Sequence, residues 1–473
     1  MKMLFKLGFN VLMSSVLFAC NNNSSSVSNY HQTLPNSRPL ISDTLRGESP
    51  HVPMGAVIYG RDDDRFQEPS ILDTYDDELA FFEREIDYVG HDNAFRMQRI
   101  YSSPTDFDFS RADEFVEWAI SKSFRIHAHV LVFKDTVPEW AVEYRDNNTW
   151  TQQQWRDWIE SAIRTMVGRY KGKVASWDVV NEPLARFGVE IGSHEENFWT
   201  GVAGDDVFEM AFKWAEEADP DAKLVMNEFY LFPFDLPKVD SLIRFANDLR
   251  EKGCRIDVIG FQGIILFPVL AGSYSLNYAK FKKIADEGYN IVISELAIAI
   301  NTSWLGIWPR QTKAQHKVQR MAFNNFARAY IDAVPESQRW GLSVWGVQDV
   351  KSVPHFSDIF QNLRLLATEE TNVDWGAILD DDLNKKPAYF GYLNALKGRR
   401  EMWTEDAFAD MDADLISAFE TDGDSDAVRG EINREIVIFD SFIGTFGFFM
   451  RLAGLYNDEM DAIYHAIKEE VTF

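Results

Sequence analysis

The sequence predicts an α/β protein built as a closed (β/α)8, or TIM, barrel with an additional helical extension at its C-terminus. Three observations carry that prediction. Short apolar runs of strand length alternate with longer segments of helix-like spacing, the pattern of βα units on a parallel sheet. Eight such runs are present, and eight units make a closed barrel the simplest architecture. Several runs end abruptly in polar residues, and at the C-terminal ends of parallel strands such residues converge on one open crevice.

The strand candidates lie near Met54 to Tyr59, Ala94 to Ile100, Arg125 to Phe133, Val174 to Val180, Lys223 to Asn227, Val258 to Gly263, Asn290 to Leu296 and Gly341 to Gly346. Between them, Ala112 to Ser121, Thr151 to Tyr170 and Gln311 to Ile331 space their apolar residues as helices do. The fourth strand is the most informative. Val174, Ala175, Trp177, Val179 and Val180 form a run short enough for a strand covered on both faces, and Pro183 then forbids further ladder bonding. A loop must follow, so Asn181 and Glu182 are delivered to a rim. Taken alone, Glu182 could equally make a structural ion pair or cap the next helix. The seventh strand, NIVISELAIAI, is an apolar run interrupted by Glu295, and acids are seldom buried without a reason. Two strand-end glutamates in one chain point to the two-carboxylate chemistry of glycoside hydrolysis, in which one protonates the leaving oxygen and the other attacks or activates water.

These residues resemble glycoside hydrolase family 10, the retaining endo-β-1,4-xylanases with a TIM-barrel fold. In that family WDVVNE carries the acid/base and ITELD the nucleophile; here the matching segments are WDVVNEP from Trp177 and the ISELA around Glu295. The likeness runs over about residues 53 to 398. It includes GRYKGKVASW from Gly168, ADPDAKLVMN from Ala218, IGFQ from Ile259, VWGV from Val344 and KPAY from Lys386, in the family's order and spacing. The resemblance implies Glu182 as general acid and then base, Glu295 as nucleophile, and Asn181 on the sugar's C2 hydroxyl. Because the acid must start protonated and the nucleophile ionised, Glu182 is expected in a drier or more anionic environment than Glu295.

The strand ends depart from the family pattern in places. At the third, AHVLVFK resembles GHTLVWH, so His129 takes the place of the substrate-binding histidine, Phe133 that of a tryptophan and Lys134 that of a second histidine. At the second, AFRMQR stands where ENEMKW supplies a subsite. Direct matching puts Ala94, Phe95 and Gln98 there, and a shifted alignment would instead bring Asp92, Asn93 or Arg96 into the same space. Asn227 and Glu228 end the fifth strand. At the sixth, Gln262 matches the family's glutamine but Ile264 falls where a histidine bonds the nucleophile, and loss of that bond favours the protonated carboxyl unless another donor substitutes. Ala297 replaces the aspartate of ITELD. Trp345 ends the eighth strand where the family has a platform under the sugar.

Outside the barrel the chain divides into a leader (1–20), a tether and lead-in (21–52) and an acidic, helical C-terminal extension (399–473). Lys2 and Lys6 precede an apolar stretch from Val11 to Ala19 that is too short to span a bilayer, which reads as an export signal. LFAC resembles a bacterial lipoprotein processing box with Cys20 as the lipidated residue, an ordinary signal peptide being the alternative. The polar NNNSSSVSN that follows suits a flexible tether. The expected location is therefore an exported, outer-membrane lipoprotein facing the periplasm or the cell exterior, touching membrane only through that anchor. Cys254, the one other cysteine, reads as a structural thiol. In the extension, Asp422, Asp424 and Asp426 imitate the start of a calcium loop, but Ala427 and Asn433 occupy positions that need glycine and glutamate, so a solvated acidic turn is the better reading. The apolar stretch from Ile436 to Leu455 is broken by Gly444, Gly447 and Arg451, which argues against a membrane span.

Composition narrows the partners. A net charge of -27 disfavours nucleic acid and polyanionic ligands, while a neutral polysaccharide or oligosaccharide meets no such objection. No metal or organic cofactor is expected, since carboxylates and water suffice. Xylan or a related plant or algal polysaccharide is the expected substrate. A different β-glycan, or glycan binding without catalysis, are the alternatives raised by the altered second and sixth strand ends.

Overall fold

The computed structural model describes residues 40–49, 51–58, 76–185, 197–229, 236–265, 268–300, 312–349, 376–404, 427–437, 440 and 457–471. The leader, Cys20, the tether, the acidic turn through Asp426 and the apolar stretch after Asp440 lie outside the described residues. Eight parallel strands form the barrel: β1 (Met54–Ile58), β2 (Tyr88–His91), β3 (Arg125–Ala128), β4 (Ser176–Asn181), β5 (Lys223–Glu228), β6 (Val258–Phe261), β7 (Asn290–Ile298) and β8 (Arg339–Trp345). Each pairs with the next in sequence, and β8 returns to pair with β1 through Met54 and Leu342, so the sheet closes without an edge. Two-residue strands at Val132–Phe133 and Ile264–Ile265 extend the pairing at the rim beside β4 and β7.

The apolar runs form strands because both faces are covered. All nine residues of β7 except Asn290 are buried, as expected when side chains alternate between the barrel interior and the helical layer. Inside, Tyr88, Val225, Val258 and Val292 fill one layer with Trp340 against it, and the Arg125 guanidinium lies 4.8 Å from the Tyr88 ring and 4.6 Å from the Trp340 ring. Gly55 makes room for that layer, since a Cβ there would come within 2.2 Å of the Tyr88 ring. Helices cover the outside. The long ones start at designed stops: Thr151 and Thr312 each form a capping box, with Gln154 and Gln315 respectively.

One strand expectation is corrected. Ala94 to Ile100 is not the second strand; β2 is Tyr88–His91, and Met97–Ile100 forms a helical turn with Met97 and Ile100 buried at helical spacing. Phe95 packs edge-on against Phe115, Tyr170 and Trp177 in the core. Segment 92–96 is thus the loop leaving the end of β2, the placement that the shifted alignment allowed for Asp92, Asn93 and Arg96.

Among the described residues the extension is helical at 427–437 and Asp458–Val471, and it docks on the barrel through carboxylates. Glu435 is buried and accepts from the backbone N–H groups of Val269 (3.1 Å) and Leu270 (3.2 Å). Glu470 accepts from the N–H groups of Tyr274 (3.1 Å) and Ser275 (3.2 Å), at the positive end of the helix Tyr274–Asp286. Among the described residues, no helix is long and apolar enough to cross a membrane. Cys254 is buried, with its thiol against the Glu209 carbonyl.

Burial pushes the Glu435 carboxyl up to about 8 from an ordinary 4.5, against the pull of those two N–H groups. A raised folded value means that the folded state holds the proton longer. The contribution of Glu435 is therefore complete below about pH 4.5 and is lost as pH rises through about 8. Hydrogen exchange at Val269 and Leu270, corrected for the intrinsic rate, should lose protection between about pH 5 and pH 9 in the native chain and hold it in Glu435→Gln. Equal pH dependence in both would contradict this.

Candidate active site

Register in a parallel barrel sets which side chains share a level, and here it brings carboxamides from two neighbouring strands to the same rim, with a third just past the end of the next. Asn181 of β4 pairs with Asn227 of β5, which pairs with Gly260 of β6. Gly260 must lack a side chain, since a Cβ there would come within 2.3 Å of the Asn227 amide oxygen. Asn227 is the hub. Its Nδ2 donates to Asn181 Oδ1 and to Glu295 Oε1, both at 2.9 Å, and its Oδ1 accepts from the Ser294 hydroxyl at 2.8 Å. The Gln262 amide donates to Glu182 Oε1 (3.1 Å) and, at 3.4 Å, to Asn181 Oδ1. Asn181, Glu182, Asn227, Gln262 and Glu295, five residues picked from strand ends, thus form one hydrogen-bonded constellation.

The two glutamates sit differently. Glu182 follows β4 with its N–H on the Asn227 carbonyl at 2.8 Å and φ of 51°, a left-handed backbone that a residue before proline rarely adopts. The fold imposes that conformation, and it turns the chain sharply enough to point the Glu182 side chain across the rim. Its Oε2 meets Lys134 Nζ at 2.6 Å. Glu295 lies within β7 and is buried.

Charge follows from these surroundings. Burial resists ionisation of Glu182, but Lys134, Gln262 and Lys238 overcome it and hold its carboxyl below the ordinary range. Glu295 goes the other way. Burial and the negative charges of Asp178 and Glu182 push it well up, and the Asn227 bond and the positive charge of Arg96 only partly offset this. The expected contrast is therefore reversed: Glu295, not Glu182, occupies the drier and more anionic place. Ile264, where a histidine was missing, contributes no donor, and Asn227 substitutes for it incompletely.

An aromatic wall adjoins the glutamates. His129 and Val130 are joined by a cis peptide bond, and His129 Nδ1 bonds Asp178 at 2.8 Å, with His127 on the same carboxylate oxygen at 3.2 Å. Burial keeps the His129 imidazole neutral, while the two histidines hold Asp178 down at about 2 in spite of its own burial. The His129 ring stands edge-on to Trp345 (6.0 Å) and Phe133 (6.2 Å), and Trp345 packs with Val57 and Ala297. Glu228 is satisfied by the N–H groups of Leu184 and Phe229 and by Lys238 at 3.1 Å, so it braces the loop that leaves Glu182.

Gln98 is the expected site residue that no hydrogen bond or ring contact among the described residues joins to the others. It stands half-buried in the helical turn after β2, outside the bonds that hold the two glutamates. Arg96, five residues beyond β2, acts on both Glu295 and His129 instead. Ser294, Asp178 and the role of Lys134 were not foreseen. For Lys134 there was a signal, a cation directly after a buried apolar run.

The family model described as glycosyl hydrolase family 10 matches residues 65–395. Endo-beta-1,4-xylanase Xyn10C of Cellvibrio japonicus is 27% identical over 373 residues, which cover 75% of this chain and 58% of that protein. Endo-1,4-beta-xylanase A of the same species is 28% identical over 336 residues, covering 67% of this chain and 51% of that protein, so the chain spans little more than half of either relative. The solved structure of native xylanase 10C from Cellvibrio japonicus superposes with a TM-score of 0.66 at 26% identity, covering 76% of this chain and 74% of that one. A mutant of that enzyme solved with xylopentaose superposes equally well, at 25% identity over 76% of this chain and 70% of its own. With the matched segment spanning all eight strands but β1, the chain belongs to glycosyl hydrolase family 10.

Proposed function

We propose that the chain is a retaining glycoside hydrolase that cuts internal β-1,4 bonds of xylan or a closely related polysaccharide by double displacement. The observation that carries this reading is the joining of Glu182 and Glu295 through Asn227, Asn181 and Gln262 at one rim. The names of the relatives and the xylopentaose held by one of them support the choice of substrate.

In the first step Glu295 attacks the anomeric carbon while Glu182 gives its proton to the glycosidic oxygen, and the C–O bond breaks. In the second, Glu182 takes a proton from water, which displaces Glu295 from the sugar. Asn181 has its Oδ1 engaged by Asn227 and Gln262, which leaves its amide N–H groups for the C2 hydroxyl. His129, held neutral with Nδ1 on Asp178, offers Nε2 to a second hydroxyl. Trp345 and Phe133 form the apolar side of the groove. Export and attachment by a lipid on Cys20 fit the leader and the polar tether, and loss of lipid labelling in Cys20→Ala would accord with this, whereas unchanged labelling would contradict it.

Glu295→Ala should abolish release of reducing sugar from xylan while leaving the thermal transition of the chain in place; residual turnover in a folded variant would refute its role. Among xylan, β-glucan and mannan, xylan should be cut fastest, with the first-formed reducing end in the β configuration by proton NMR. Asn227→Ala removes a hydrogen bond to a group that is charged when it attacks, worth about 1.5–3 kcal/mol, so kcat/KM should drop roughly ten- to a hundredfold and its alkaline limb, set in the free chain by Glu295, should move to higher pH.

A further inference from the structure

Lys134 is held in place rather than dangling into the groove. The carbonyl of Phe133, one residue before it, accepts from the Trp199 indole N–H at 2.9 Å and from the N–H and hydroxyl of Thr136, both at 3.3 Å. Trp199 is itself stacked on Trp158 in the core. Beyond that anchor, the ammonium lies 5.4 Å from the Phe133 ring and 5.7 Å from the Phe229 ring, and 2.6 Å from Glu182. Its side chain is 9% exposed, so the charge has little water to fall back on if Glu182 stops being an anion.

That contact opposes the reaction assigned to Glu182, which needs the carboxyl protonated before the first bond breaks. We propose that Lys134 is a positioning residue that decides which of the two glutamates carries the proton of the site, and that an oxygen of the sugar on the leaving-group side draws it off Glu182. The inference rests on the roles given above to Glu182 and Glu295. The groups facing Glu182 are Lys134 after β3, Gln262 after β6, Lys238 on the helix Leu236–Glu251, Glu228 at the end of β5 and Glu295 on β7. Lys238 is already committed to Glu228 at 3.1 Å, and Gln262 is neutral. Lys134 is therefore the one of these whose charge a substrate can redirect. With Lys134 on Glu182, the proton resides on Glu295. Once a sugar oxygen takes the ammonium, that proton passes through solvent to Glu182, Glu295 becomes the free nucleophile, and the overall charge of the site is unchanged.

The test compares two kinds of leaving group in the native chain, Lys134→Met, Lys134→Arg and Glu182→Gln. A xylo-oligosaccharide leaves only if protonated, and an aryl xylobioside with a nitrophenolate leaves without help. For the oligosaccharide, Lys134→Met should shift the acid limb of kcat/KM, set in the free chain by Glu182, upward by about one to three pH units, the range that a neighbouring opposite charge produces. For the aryl glycoside, which needs only an ionised Glu295, the acid limb of kcat/KM should move to lower pH as the proton passes to Glu182, while kcat should fall because less Glu182 is ionised to take the proton of water in the second step. Lys134→Arg should keep the native profile. An unmoved limb in Lys134→Met, or an equal loss with both leaving groups, overturns the proposal. If Lys134→Met does not fold, carbon-13 NMR titration of the native chain decides: Glu295 losing its proton at a higher pH than Glu182 supports the proposal, and the opposite order overturns it. Glu182→Gln separates the two readings, since undiminished hydrolysis of the oligosaccharide there would remove the role of Glu182 itself and not that of Lys134 alone.

Discussion

Two carboxylates held within electrostatic reach of each other and away from water are the constraint around which this rim is arranged. Glu182 and Glu295 each raise the cost of ionising the other, and in a low-dielectric site both cannot be charged cheaply unless cations and donors intervene. Four polar neighbours answer that demand. Asn227 steadies Glu295, Gln262 and Lys134 steady Glu182, and Arg96 adds positive charge on the Glu295 side. None of this would hold on a loose scaffold. The closed barrel fixes the ends of β4, β5 and β7 by register, so that the carboxamides meet the carboxylates without first having to be ordered.

The sixth βα connection ties the extension to this arrangement. At its start Gln262 reaches Glu182, and Ile264–Ile265 pairs with Ala297 and Ile298 beside Glu295. At its far side the N–H groups of Val269 and Leu270 end on Glu435. The extension therefore supplies acceptors for backbone groups that a buried loop could not otherwise satisfy. Both ends of the connection are pinned, one by the site and one by the tail.

Most of the scaffold was legible in the sequence because strands covered on both faces read as unbroken apolar runs, and seven of the eight barrel strands overlap the runs expected for them. The exception, Tyr88–His91, is four residues long and contains a glycine and a histidine, while the better-looking run at Ala94 to Ile100 buries Met97 and Ile100 through a turn of helix. Glu182 and Glu295 were legible because each interrupts or ends an apolar run. Pairing across the rim was not. Lys134 and Glu182 are 48 residues apart, and no local pattern encodes a 2.6 Å contact between the ends of two strands. For the same reason the proton affinities came out reversed, since a motif names the carboxylates but not the cation facing one of them.

The central claim is that Glu295 forms and then releases a covalent bond to the sugar. A xylobioside carrying fluorine at C2 and a good leaving group slows both steps, the second most, and so should trap the intermediate. Mass spectrometry of the digested protein should then find one added xylobiosyl unit, located on Glu295, with Glu182 unmodified. An intact chain after full hydrolysis of the reagent, or the label on another residue, would contradict the account.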